Sequence, residues 1–257
     1  MPQISPPGLS LLLLLLGPAM GSFMAALAER LPNGPGIIRT PSHCHSCQRR
    51  LRWYELLPIL SYLGLRGKCA GCGHPIPARL FYAEIAGLMA AVAAVSLAFT
   101  PLHMLLSALL LWCLLGLFLC DIRCFRLPDI LTGALLIIGL ALAAEDPGRD
   151  VLQALLGALS AAAVFYLIRL SYRLLRGREG LGLGDVKLVA GLSAALGITA
   201  LPLVTLLAAL AALGWAVLLS WHRGRPLLQT TPLPFGAYLA AAAAIVWAAQ
   251  LYPSLQF

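Results

Sequence analysis

Eight apolar runs punctuate this chain, at about residues 8–28, 81–99, 102–120, 129–144, 151–170, 186–200, 201–220 and 235–252. Each is near the length that carries a helix across a hydrocarbon core of roughly 30 Å. A backbone in lipid has to satisfy its own polar groups, so runs of this kind predict an all-α polytopic membrane protein with about eight transmembrane helices. A soluble domain is excluded by composition, since 60% of the 257 residues are hydrophobic and only 11% are charged. Pro101 and Pro202 stand where neighbouring runs abut, as residues that end one helix and open the next.

The charges sit in a few segments between the runs. With the N-terminus outside, residues 29–80, 121–128, 171–187 and 221–234 share one side, and together with Arg169 they hold 17 of the 18 Lys and Arg residues. Only Arg149 falls opposite, in the acidic segment Glu145-Asp-Pro-Gly-Arg149-Asp150. The positive-inside rule makes the basic side the cytoplasm. The net charge of +8 is then a matter of topology, and no aromatic–basic stacking pattern argues for a nucleic-acid partner. The first run lacks a basic flank, and Glu29-Arg30-Leu31-Pro32 follows where a signal peptide would carry small residues, so it is expected to remain as a helix. Three regions result: a first transmembrane helix over 1–29, a cytoplasmic loop domain over 30–80, and about seven helices over 81–257.

Within the loop domain, Cys44-x-x-Cys47 and Cys69-x-x-Cys72 are separated by 21 residues. Two such knuckles give four thiolates tetrahedral reach around one zinc ion. Gly67, Gly71 and Gly73 permit the tight turns, and Arg49, Arg50, Arg66 and Lys68 favour the thiolate state. Disulfides are the competing reading, and a reducing compartment argues against them. Four thiolates leave no position for water, so the zinc is expected to be structural, stabilising a loop with few large apolar residues. His43, His45 and His74 are read as surface residues, and Cys113, Cys120 and Cys124 as small apolar packing groups.

Two carboxylates stand where apolar runs meet basic loops, in Asp121-Ile-Arg-Cys-Phe-Arg-Leu-Pro-Asp129 and Gly182-Leu-Gly184-Asp185-Val-Lys187. A carboxylate at the edge of a bilayer is costly to bury, so two at matching depth point to shared chemistry. Peptide hydrolysis by a carboxylate pair needs one ionised group to accept a proton from water and one protonated group to donate. Asp121 and Asp185 form such a pair only if the third and sixth helices meet. Gly182 and Gly184 would leave room for an extended substrate backbone on the approach to Asp185, with Lys187 pairing with a carboxylate or anchoring the interface. Asp185 could equally be a helix N-cap, and Asp129 after Pro128 suits a capping role at the start of the fourth helix.

Gly21-Ser22-Phe23, Arg30-Leu31-Pro32, the paired cysteines, Trp53-Tyr54-Glu55-Leu56-Leu57-Pro58, Leu65-Arg66-Gly67-Lys68-Cys69, the stretch from Asp121 to Asp129, residues 182–188 and Pro234-Phe235-Gly236 follow in order along nearly the whole chain. In this combination the sequence resembles the type IV prepilin peptidase family. The resemblance implies a multi-pass aspartyl endopeptidase of the bacterial inner membrane, of the Gly-x-Gly-Asp type, with its active site at the cytoplasmic face. It would remove the basic leaders of type IV prepilins or of type II secretion pseudopilins, with Asp121 and Asp185 as catalytic pair. Some relatives carry a second acid two positions after the first aspartate; here that position is Arg123, which leaves Asp121 alone beside Leu127-Pro128-Asp129.

The resemblance further implies N-methylation of the new N-terminal residue with S-adenosylmethionine as donor, sited in the cytoplasmic loop. Glu84 and Gly87, in Phe81-Tyr82-Ala83-Glu84-Ile85-Ala86-Gly87, are the candidates, against a plain role in helix start and helix packing. A peptidase without the methyl transfer is the alternative. Two rivals are weaker: a presenilin-type intramembrane protease, against which the cysteine loop speaks, and a transporter relaying protons through its carboxylates.

Overall fold

A computed structural model of the protein describes residues 7–31, 42–178, 180–223 and 233–252. Pro32, Arg39 and Arg225, which enter the motif and charge arguments above, lie outside them. The described residues are mostly helical, with no strand among them. Packing divides the chain into two compact units, Met1–Gly116 and Leu117–Phe257. The first holds α1 (Pro7–Arg30), α2 (Leu60–Gly64), α3 (Ala78–Leu97) and most of α4 (Pro101–Cys124). The second holds the end of α4, then α5 (Asp129–Glu145), α6 (Val151–Arg176), α7 (Leu183–Leu196), α8 (Leu201–Arg223) and α9 (Phe235–Leu251).

The helices α1, α3, α4, α6 and α8 with its preceding turn are long and apolar enough to cross a membrane. The remaining apolar runs form shorter helices: α5 and α9 have 17 residues and α7 has 14. Fourteen residues rise only about 21 Å, short of a bilayer core.

In the first unit, α1 and α3 meet through small residues. A methyl group at Gly21 would run into the Ala83 carbonyl, and one at Gly87 into the Gly17 carbonyl. Lipid tails are as apolar as leucine, so helices in a bilayer gain little by hiding apolar surface; close backbone approach is what holds them. The buried Trp112 of α4 donates its indole N–H to the Gly87 carbonyl at 3.0 Å. Where α1 ends and α3 begins, the Arg79 guanidinium donates to Glu29 Oε1 at 3.0 and 2.9 Å.

The second unit is built around α7, of whose 14 residues nine are buried. It packs against α5, α6, α8 and α9. Gly139 of α5 lets that helix approach the backbone of Ala194 and Ala195 closely. Helix C-termini leave carbonyls without intrahelical partners. At the end of α7 the Arg149 guanidinium takes up two of them, donating to the Ala195 and Ala194 carbonyls at 2.6 Å each. Arg149 therefore closes the helix at the centre of its unit.

Candidate functional site

Asp121 lies one turn before the end of α4 and is 6% exposed. Phe125 follows with a φ of 52°, its N–H bonded to the Asp121 carbonyl at 2.9 Å, and turns the chain toward Leu127 and Pro128. Asp185 lies in the first turn of α7. That helix begins earlier than the apolar pattern suggested, because Gly182 is its N-cap and Leu183 its first residue. Asp185 is therefore the third helical residue and not the cap, and its Oδ2 reaches back to accept the Gly182 N–H at 3.1 Å. This is the carboxylate half of a capping box, which satisfies an orphan N–H of the first turn.

Gly184 and Lys187 correct the expectation of an approach loop, since both are inside α7. Gly184 packs on Leu127, where an added Cβ would stand 3.0 Å from the leucine Cβ. Lys187 donates to Asp129 Oδ1 at 2.6 Å, an exposed ion pair worth little in water. Asp129 is the first residue of α5 and Pro128 its N-cap.

The third partner comes from α9. Pro234 is its N-cap, and the Ala237 N–H donates to Asp121 Oδ2 at 2.8 Å. Both carboxylates thus sit at helix N-termini, where partial positive charge favours anions. Gly236 stands between them: a Cβ there would lie 3.0 Å from Asp185 Oδ1, 3.2 Å from Asp121 Oδ2 and 2.9 Å from Leu127 Cδ1. Those first two distances together bound the separation of the carboxylate oxygens at about 6.2 Å. Arg169 steadies the approach to α7, donating from a buried position in α6 to the Leu181 carbonyl at 3.0 Å. Neither Gly236 nor Arg169 stood out in the sequence as a neighbour of this region. Gly236 was only part of a family-like tripeptide, and Arg169 only one more positive charge. Two carboxylates brought this close have the groups needed to activate water and to protonate a carbonyl.

In the other unit, the sulfur atoms of Cys44, Cys47, Cys69 and Cys72 all lie within 4.8 Å of one another, and those of Cys44 and Cys72 are 3.8 Å apart. Sulfurs at about 2.3 Å from a tetrahedral zinc would be about 3.8 Å apart, so the cluster fits that ion. No cysteine among the described residues is in a disulfide. Each knuckle is closed by one antiparallel bridge, His43 with Arg50 and Lys68 with Pro75. Backbone N–H groups of Cys72 and Gly71 push the Cys69 thiol down to about 6, and those of Cys47 and Ser46 lower Cys44. Cys47 goes the other way, to about 11; the Arg49 backbone N–H acts to lower it, but loss of water and the crowding thiols prevail. A cation removes that conflict by stabilising all four thiolates. His43, His45 and His74 are exposed and outside the cluster. Beneath the knuckles the buried Glu55 accepts from Arg49 Nη2 at 2.5 Å and from the Arg52 N–H at 2.7 Å.

Glu84 and Gly87 lie on α3. Glu84 Oε2 accepts the Ile59 N–H at 2.7 Å, and so ties the loop to the helix. Gly87 is sealed in the α1–α3 crossing and offers no open face to a donor molecule.

Residues 15–98 match the Bacterial Peptidase A24 N-terminal domain, and residues 108–217 the Type IV leader peptidase family. Among curated proteins, the chain is 36% identical over 249 residues to a prepilin leader peptidase/N-methyltransferase of Dickeya chrysanthemi, covering 86% of each. A protein of the same name from Aeromonas hydrophila is 36% identical, across 76% of this chain and 71% of the relative. Another, from Burkholderia pseudomallei (strain 1026b), is 38% identical across 77% of this chain and 63% of the relative's length. No solved structure matches at a significant level.

Proposed function

The chain belongs to the type IV leader peptidase family, and from that premise we propose that it is an aspartyl endopeptidase of the bacterial inner membrane that cleaves the leaders of type IV prepilins or type II secretion pseudopilins. The observation that carries the proposal is the approach of Asp121 and Asp185 to each other beside Gly236. In this reading one carboxylate accepts a proton from water as the oxygen attacks the scissile carbonyl carbon. The other, protonated, donates to the carbonyl oxygen, and the tetrahedral adduct collapses with protonation of the departing nitrogen. In this reading α5, α7 and α9 cross together with the five long helices, the short α7 being surrounded by its neighbours and not by lipid, and with the N-terminus outside both aspartates lie at the cytoplasmic boundary. The substrate's apolar helix approaches laterally from lipid while its basic leader stays in the cytoplasm, and cleavage takes place where that helix ends, because amides within a helix are locked in hydrogen bonds.

The zinc-binding residues of the proposal are Cys44, Cys47, Cys69 and Cys72. Bound there, zinc supplies structure to the loop and no chemistry. The names of the relatives support a second activity, methylation of the new N-terminal residue from S-adenosylmethionine. Glu84 and Gly87 enter it as positioning residues, the first holding the loop and the second the helix pair that carries it. Mass spectrometry of a prepilin incubated with the purified protein, with and without S-adenosylmethionine, tests both halves. Leader loss that fails in Asp121→Asn and Asp185→Asn, with zinc content retained, is the expected result. Full cleavage by either variant would overturn the peptidase mechanism, and leader loss without a methyl group would leave a peptidase only.

A further inference from the structure

The segment between the two cysteine pairs is built inside out. Its one acid, Glu55, is 7% exposed, whereas Trp53 is 76% exposed, Leu60 68%, Leu63 58%, Leu56 49% and Leu57 43%. In water the opposite arrangement is favoured, because apolar area gains by leaving solvent and an ionised carboxylate gains by staying in it. Exposed basic residues, Arg50, Arg52, Arg66 and Lys68, flank the same stretch. Arg52 donates to the Tyr54 hydroxyl at 2.9 Å, and the Trp53 and Tyr54 rings meet edge to face. Trp and Tyr beside Arg and Lys is the composition of a bilayer's headgroup zone, where an apolar body and a polar tip are both accommodated.

Two contacts set the depth of this segment. The Tyr62 ring stacks on Phe81 with centroids 4.6 Å apart, and the Ile59 N–H is bonded to Glu84. Phe81 and Glu84 lie about 5 and 9 Å along α3 from its first residue, Ala78. The Glu29–Arg79 ion pair marks the charged level at that end of α3. A 20-residue helix just spans a core of about 30 Å, so its first residue lies at the lipid boundary and its first two turns reach no more than about 10 Å below it, which puts what is bonded to them within the headgroup–acyl zone that an interfacial segment occupies.

We propose that residues 53–63 form an interfacial anchor, with Trp53, Leu56, Leu57, Leu60 and Leu63 in the headgroup–acyl boundary of the phospholipid bilayer and the flanking Arg and Lys side chains at phosphate level. The anchor holds the zinc knuckles against the membrane surface. It rests on the geometry of the first unit alone and stands whether or not the chain is a peptidase.

Tryptophan quenching in vesicles tests it. The full-length, zinc-loaded protein is reconstituted in phosphatidylethanolamine and phosphatidylglycerol brominated either just below the headgroup or near the acyl ends, and compared with Trp53→Phe. The difference between the two proteins isolates Trp53 from the other four tryptophans. The expected result is that the Trp53 emission is lost mainly to the shallow bromine and resists acrylamide. Loss to acrylamide with none to bromine would place Trp53 in water, and resistance to both would mean that protein covers it; either overturns the anchor. Should Trp53→Phe lose zinc, Leu60→Trp compared with wild type reads the same depth from α2.

Discussion

A methyl group at position 236 would stand 3.0 Å from one aspartate oxygen and 3.2 Å from the other, so Gly236→Ala is a one-carbon probe of the space the proposed chemistry uses. Its expected effect is a fall in kcat of about a hundredfold with little change in KM, because displacing reacting atoms by a fraction of their contact distance costs rate and not remote binding. The same methyl would also press on Leu127 Cδ1 at 2.9 Å. Leu127→Ala added to Gly236→Ala relieves that second contact, and steady-state kinetics of the double variant should show no recovery. Glu55 gives a prediction about pH. The Arg52 backbone N–H, and then the Arg49 guanidinium, hold its carboxyl below the ordinary value of 4.5. A depressed value means that the folded loop is favoured above that ordinary value and loses the contribution as pH falls through the lowered one. Hydrogen exchange across residues 52–56 should therefore be faster in Glu55→Gln than in wild type at neutral pH, with the difference vanishing in acid.

Among the elements, the α1–α3 crossing depends on backbone contact, which leaves side chains no room to adjust. Gly21→Val is expected to cost at least about 1–3 kcal/mol, read from unfolding in detergent, because the atom it meets is the Ala83 carbonyl and not a movable side chain. Arg149→Gln should destabilise the second unit by about 1–3 kcal/mol, since two carbonyls at the end of α7 lose charged donors. The positions of the helices were legible in the apolar runs, because period and length are local properties. Where α7 starts was not. The pattern pointed to residue 186, while Gly182 serves as N-cap through a bond from Asp185, a polar turn that apolar patterning cannot register. The use of Arg149 was hidden for a similar reason, since its acceptors lie 45 and 46 residues away.

Over the whole molecule, the cysteine spacing pointed to four sulfurs in one place because two short knuckles carry their geometry with them. The four sulfurs lie within 4.8 Å of one another, close enough to hold one ion. Chelation should make residues 44–75 sensitive to protease while the helical circular dichroism signal is largely kept, since the membrane helices hold their own hydrogen bonds. The aspartate pair was legible only by halves. Each carboxylate stood out as an acid at the end of an apolar run, but α9 meets the pair through the close approach of Gly236 and the Ala237 N–H, 116 residues from Asp121, and nothing local in Pro234-Phe235-Gly236 reveals it. The central claim is that two carboxylates act as one unit on one bond. Single-turnover cleavage of a prepilin by Asp121→Asn, Asp185→Asn and the double variant measures this most directly. Groups that act as a unit give losses that do not add, so each single variant should be as inactive as the double. Residual cleavage in one single variant that the second substitution lowers further, so that the losses multiply, would contradict it.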